Sequence, residues 1–412
     1  MRSAHRETNT MTGNTTPNAD DVVILAGART PQGKMLGQLA SMTSVDLGAH
    51  AVRAAVERAG IKPEDVGRVV LGQVILAGAG QNPARQTAIK AGLPWTTPAE
   101  IVSKVCLSGL DAVIHAARMI RLGEVDVVVA GGQESMTNAP HIAHGVRKGK
   151  SYGSLKLEDS LELDGLVDSY DCVSMGTLTD GPNADLGISR TDQDEVAALS
   201  HQRAAKAQAD GIFAQEIAPI EIPQRKGDPV VVDSDQGIRP DTTVESLSKL
   251  RAVFLKDNGT ITAGNSSPIS DGAAALVLAR RGWAEERGLD YLAVVGKAGQ
   301  TAGPDNGLHA QPSDSLAEAL RLAGWEASDL DFIEINEAFG AVAVKSLRDL
   351  DYPLDKCNIH GGAIALGHPI GCSGARLALT AAMELSRRGS GKAGVSLCGG
   401  GGQGDALLLY RD

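Results

Sequence analysis

From residue 45 onward, apolar side chains fall at Val45, Ala49, Val52, Val56 and Ala59, the three-to-four spacing of one helical face, and Gly60 ends the run. An acidic turn, IKPEDV, comes next, and then RVVLGQV, rich in β-branched residues as a buried strand is. After CLSG, apolar residues at Leu110, Val113, Ile114 and Ala117 predict a second helix, and VDVVVAGG a second strand. The same order returns later. SDSLAEALRLAG predicts a helix ended by Gly324. WEASDL and the strand DFIEIN come after it, then CSGA, a helix with Leu377, Ala381 and Leu385 inward, and the strand AGVSLCGG. Gly60 precedes Ser108 by 48 residues and Gly324 precedes Ser373 by 49. Such agreement in order and spacing indicates an internal duplication.

Alternation of helix and strand predicts an α/β fold with parallel sheets covered by helices, and duplication adds a pseudo-dyad. Sites in such folds lie beyond the carboxyl ends of strands. Cys106 and Cys398 fall in loops of that kind, one in each copy. The charged, irregular region 138–269 predicts an inserted loop domain covering the site. The division is then a disordered extension at 1–20, a first half at 21–137 and 270–289, the insertion, and a second half at 290–412.

Composition narrows the chemistry. The 412 residues are 42% hydrophobic but only 3% aromatic, with 49 glycines, so the core packs on small and aliphatic side chains. A net charge of −11 without a basic run argues against a nucleic-acid binder. Five cysteines, with no C-x-x-C pair, predict reduced thiols and a cytoplasmic setting. No apolar run is long enough to span a membrane, and the polar start lacks the apolar segment of a secretory signal. His141 and His144 lie three apart without further ligands, so no metal is expected. GGGGQG at 399–404 matches a dinucleotide-binding pattern formally, but only DALLLYRD remains after it, which reads as a final strand and not a helix.

Cys106 sits at a strand-to-helix junction in SKVCLSGLDAVIHAAR. It is either a small buried hydrophobe or a nucleophile whose thiolate the helix start favours. Four further segments bear on the choice: TAGNSSPISDGAA, INEAF, HGGAIALGHPIGCSGAR and CGGGGQGD. With SKVCLSGLDA, AGARTPQGK, GQNPARQ and VAGGQESM they resemble the thiolase family, in family order, from about residue 21 to the end. The resemblance implies a thiolase fold of two pseudo-symmetric α/β halves with a loop domain covering coenzyme A. It makes Cys106 the acyl-accepting nucleophile, His368 its activator and Cys398 a second, acid–base cysteine. It has Asn336 hold a water in one oxyanion hole, and the N–H groups of Cys106 and Gly400 form another. Cys372 reads as a product of pseudo-symmetry, Cys172 and Cys357 as packing residues, and His360 as structural or supporting. Glu337 reads as orienting its neighbours.

The chemistry fits these residue types. A thioester's acyl group passes to another thiol without large loss of group energy, and carbon–carbon bond formation then needs a base for the α-proton. For the coenzyme, the resemblance places Arg239 near the nucleotide and Ser246, Ala263, Ser267, Leu166 and Met175 along the pantetheine, with Phe254 and Phe339 as apolar walls. Departures occur at Ser103, where family members often carry Asn, at Ser174, where short-chain members often carry His, and in LHAQPSDS at 308–315. The implied activity is acetyl-CoA C-acetyltransferase: ping-pong condensation of two acetyl-CoA to acetoacetyl-CoA and CoA, and its reverse, with no resident cofactor. A longer-chain degradative 3-ketoacyl-CoA thiolase shares every catalytic residue, and a silent acyl-CoA-binding homologue is the rival from another class. A homo-oligomer, dimer or tetramer, is expected.

Overall fold

The computed structural model describes residues 18–412; residues 1–17 of the expected extension lie outside the described residues. One large sheet runs through the molecule. In chain order its main strands are β1 (Val22–Arg29), β2 (Arg68–Gly72), β3 (Ala99–Val102), β4 (Val127–Ser135), β5 (Ser270–Arg280), β6 (Ala293–Ala302), β7 (Phe332–Ile335), β8 (Gly391–Gly399) and β9 (Gln403–Arg411). Across the sheet they lie in the order β7-β8-β9-β6-β1-β5-β4-β2-β3, with the short strand Gly33–Lys34 on β5.

The duplication is visible in this order. Outward from the centre, β1, β5, β4, β2 and β3 pair antiparallel, antiparallel, parallel and parallel. In the other direction, β6, β9, β8 and β7 pair antiparallel, antiparallel and parallel. Where a fifth strand would sit, Cys357 bridges Ile333 in parallel. The two series meet through an antiparallel contact of β1 with β6, Val23 opposite Val294. The sheet is therefore mixed rather than wholly parallel. The reason in the second half is the glycine turn after Cys398, which returns the chain as a hairpin, β8 to β9. The apparent dinucleotide pattern is that turn, with Gly401 and Gly402 at positive φ.

Helices α1 (Ser44–Arg58), α2 (Ser108–Arg121), α3 (Arg190–Ala209), α4 (Gln311–Ala323), α5 (Gly340–Asp349) and α6 (Ser373–Arg388) carry most of the packing. Thr43 opens α1 with a capping box to Asp46. Of the expected face, Ala49, Val52, Val56 and Ala59 are buried and only Val45 is half-buried; Leu47, Ala51 and Ala55 widen the buried stripe. Helices α2 and α6 form the inner layer. Leu110, Val113, Ile114, Leu377, Ala381 and Leu385 are buried in one cluster with strands of both halves. Two glycines allow that approach: a Cβ at Gly109 would lie 2.8 Å from Gly371 O, and one at Gly374 2.4 Å from Leu110 N. The Ser-Gly pairs of the repeat are thus the points where the two inner helices cross.

Within the insertion, α3 starts at a Ser189 capping box, and its Val196 and Ala197 pack with Ala341 and Val344 of α5. Among the ties that link the insertion to the halves, two are buried polar contacts of β1 and of the segment before α4. Arg29 of β1 is fully buried and bonds Glu216 at 2.8 Å and both Asp235 oxygens at 2.8 and 2.9 Å. His309 Nε2 lies 2.9 Å from Asn183 Oδ1.

Candidate active site

Three loops converge on one enclosed space. The first precedes α2. Val105 has a φ of +50°, unusual for a β-branched residue and costing on the order of 1–3 kcal/mol. Ser108 holds the turn: its hydroxyl accepts from Lys104 N at 2.8 Å and donates to Val105 O at 2.6 Å. The strained turn presents Cys106, half-buried, to a cavity of about 330 Å³. The N–H groups of Cys106 and Gly400 point at its sulfur and favour thiolate, but burial outweighs them and pushes the thiol up to about 12. The helix itself begins two residues later, at Ser108, and does not by itself make a thiolate. Burial therefore favours the neutral thiol at Cys106, against the expectation from its place in the sequence.

The second loop carries His368, between Gly367 at φ +123° and Pro369. Its N–H donates to Ser270 Oγ at 3.2 Å. Nδ1 lies 2.6 Å from Ser373 Oγ, which itself donates to Pro369 O at 3.0 Å. With its only proton given away, the hydroxyl must accept from Nδ1–H. Nε2 is left unprotonated, its lone pair facing the Asn336 amide. Burial, aided by the Arg376 charge, lowers His368 to about 3, so the ring is neutral. Asn336, fully buried after β7, has Nδ2 3.4 Å from His368 Nε2. Its Oδ1 is buried without a protein partner.

The third loop ends β8. Cys398 is 1% exposed, and burial together with the nearby Cys106 sulfur holds its thiol well above the ordinary range. Cys106, His368, Cys398 and Gly400 all line the same cavity. So do Leu166, Met175, Ser267, Phe254 and Phe339. The two phenylalanine rings meet edge-to-face, 6.0 Å apart, and Phe254 lies flat on Gly176, where a Cβ would be 2.2 Å from the ring. The lining is mostly apolar, as suits the thin end of a long thioester.

Other residues singled out in the sequence lie elsewhere. Arg239, Ser246 and Ala263 are exposed and outside the cavity lining. Arg239 donates its backbone N–H to His201 Nδ1 at 3.2 Å, and its guanidinium lies 3.1 Å from Nε2. His201 is fully buried and pushed down to about 4 by burial and that cation. Cys372 and Cys357 are buried, but Cys172 is exposed and so is not a packing residue. His360 bonds Glu384 at 3.0 Å, away from the cavity lining. Among the described residues, no group of His, Cys, Asp and Glu is placed to hold a metal. Ser373, which fixes the imidazole, carried no signal of that role in the sequence beyond the Ser-Gly repeat, and Ser270, which holds the His368 backbone, carried none.

Comparison with known proteins finds matches over most of the chain. The profile described as "Thiolase, N-terminal domain" matches residues 22–282, and "Thiolase, C-terminal domain" matches residues 289–411. A Mycolicibacterium smegmatis protein named probable acetyl-CoA acetyltransferase is 53% identical over 94% of this chain and all of its own length. Proteins named acetyl-CoA acetyltransferase from Chromobacterium violaceum and Cupriavidus necator are each 47% identical over 95% of this chain, covering 100% and 99% of their own lengths.

Proposed function

The chain belongs to the thiolase family, and from that premise we propose that it is an acetyl-CoA C-acetyltransferase. It joins two acetyl-CoA to acetoacetyl-CoA and CoA through an acetyl-cysteine, and runs the reverse thiolysis. The observation that carries this reading is the convergence of two neutral thiols and a neutral imidazole on one narrow cavity. The names borne by its relatives support the choice of substrate.

In the first half-reaction Cys106 Sγ attacks the thioester carbonyl while its proton passes to His368 Nε2, the nitrogen left unprotonated by the Ser373 bond. The Cys106 and Gly400 N–H groups, already aimed at the sulfur, are placed to take the oxyanion. CoA leaves as thiolate and is protonated by Cys398. The Cys398 thiolate so formed is a strong base because burial opposes its charge. It removes the α-proton of the second acetyl-CoA, and the resulting carbanion attacks the acetyl-cysteine. Cys106 then leaves as the thiolate and recovers its proton from His368. The enolate oxygen is met by the protonated Nε2 and by a water on Asn336, whose unpartnered Oδ1 suits that duty. No resident cofactor is needed.

Arg239 at the surface would meet the nucleotide end, and Ser267, Leu166 and Met175 the pantetheine. Five unpaired cysteines suit a reducing cytoplasm. A homo-oligomer is supported by the exposed side chains Trp95, Tyr152, Leu155 and Leu157. The last three lie in HIAHGVRKGKSYGSLKLED, a stretch of the insertion that would serve as the contact in a tetramer. Light scattering reporting a monomer at micromolar concentration would refute the assembly. The activity is tested by incubating the protein with acetyl-CoA alone. One acetyl mass on Cys106 and release of CoA are expected, and no adduct on any cysteine would defeat the reading.

A further inference from the structure

Glu134, near the end of β4, is fully buried and takes no direct part in the chemistry above. Its carboxylate joins two loops from opposite halves. Oε2 accepts from Val74 N at 2.9 Å and from Gly371 N at 3.0 Å, and Oε1 accepts from Ile75 N at 3.2 Å. Val74 and Ile75 follow β2 in the first half. Gly371 lies three residues after His368 in the second half. Ile75 and Ile370 pack together in one apolar cluster, with Cys106 against it. The loop bearing the base is thus tied to the half bearing the nucleophile through this carboxylate, in addition to the bond from His368 N to Ser270 Oγ.

The tie is close-fitting. A Cβ at Gly371 would stand 2.7 Å from Glu134 Oε2 and 2.8 Å from Gln73 Cα, so the loop lies hard against the first half. Beside the carboxylate runs a row of buried amides that braces the same first-half loop. Gln133, its neighbour, donates to Gln73 Oε1 at 2.9 Å, and Gln73 donates to Ile75 O at 2.9 Å. Burial raises the Glu134 carboxyl to about 7, with its three backbone donors opposing the rise. A buried carboxyl of that kind is costly, and an apolar residue would pack more cheaply unless the bonds served a purpose.

We propose that Glu134 is a positioning residue for the acyl-transfer step, holding the His368 loop in register with Cys106 across the pseudo-dyad. The proposal rests on the reading of Cys106 as nucleophile and His368 as its base. Glu134→Gln keeps size and shape but replaces one acceptor oxygen by an NH₂ group. That amide cannot accept from every backbone N–H now bonded, so in either orientation its NH₂ group faces a buried backbone N–H and the junction between the two loops is loosened. Displacement of a catalytic group by about 1 Å can cost on the order of 100-fold.

The experiment is single-turnover acetylation of Cys106 by acetyl-CoA, followed by quenched intact-mass spectrometry, on wild type, E134Q and E134D. Thermal unfolding and the KM for acetyl-CoA are measured on the same samples. Wild type should acetylate. E134Q should acetylate roughly 10- to 100-fold more slowly with its KM within about threefold of wild type. E134D, which keeps the carboxylate but is shorter, should fall between. Acetylation by E134Q at the wild-type rate would overturn the proposal, and so would a loss no larger than its loss of folded protein. Should E134Q not accumulate as folded protein, wild type against E134D decides: a slowed rate at unchanged KM supports the proposal, and an equal rate overturns it. Failure of wild type itself to acetylate would instead strike the functional reading.

Discussion

The two halves share strand order and pair directions, yet they put different things in equivalent places. In the first half, the turn before the inner helix holds a thiol on a strained backbone, Val105–Cys106. In the second, the segment before the inner helix holds an imidazole, and Cys372 beside the helix start is buried and outside the cavity lining. The second thiol lies near the end of β8, just before the hairpin turn, whereas the strand β4 in the first half carries the carboxylate Glu134 near its end. The halves also grip the insertion differently: the first holds it by a buried ionic triad on Arg29, the second by the neutral pair His309 and Asn183, by Glu337 accepting from Ser200 and by the more exposed pair of Arg348 with Asp192. Duplication fixed the scaffold, and the loops diverged into complementary roles. Neither half has a complete site alone.

The sharpest way to break that division of labour is to remove each thiol. Cys106→Ala should form no acetyl adduct and lose turnover by on the order of 10⁶-fold, as removal of a nucleophile does. Cys398→Ala should still acetylate at Cys106, because His368 remains, but condense about 10²–10⁴-fold more slowly. Intact mass and peptide mapping after acetyl-CoA treatment check both. Full condensation by Cys398→Ala, or an adduct mapped to Cys372, would mean that the halves are not specialised as described.

The grip on the insertion comes next in size. Replacing Arg29 by Met leaves Glu216 and Asp235 facing each other in a buried site, without the cation they share at 2.8 Å. Breaking a buried pair from one side typically costs about 3–5 kcal/mol. Denaturant unfolding of Arg29→Met should show a loss of that order. A loss under about 1 kcal/mol would place the anchoring elsewhere.

How far these features were legible in the sequence depends on how local each one is. Local patterns located α2, α6 and the strands around them, because Leu110, Val113, Leu377 and Leu385 repeat at helical spacing. The duplication indicated the two-part scaffold, and family motifs pointed to Cys106, His368 and Cys398. Strand direction was not legible, since a hairpin and a crossover begin with the same apolar run. The Arg29 triad was invisible for a simpler reason: its partners lie 187 and 206 positions away. Desolvation is equally non-local, so the neutral state of Cys106 emerged only once its surroundings were known.

The smallest expected effect separates the two grips by pH. His309 is pushed down to about 4, first by burial. Its ordinary value of about 6.5 applies in the unfolded chain. Between those values the unfolded chain binds a proton that the folded protein does not, so acid favours unfolding. The contribution is complete above pH 6.5 and is lost as pH falls toward 4, about 3 kcal/mol over that span. His309→Gln should be about 1–2 kcal/mol less stable than wild type at pH 7, since Asn183 Oδ1 loses its 2.9 Å partner. As pH falls toward 4.5, wild type should lose stability faster, and the gap should close or reverse. His201 and His368 shift in the same sense but are common to both proteins and cancel in the difference. Urea unfolding of both proteins at pH 7, 5.5 and 4.5 makes the comparison. Parallel stability curves would show that the second half's grip is not the acid-sensitive one.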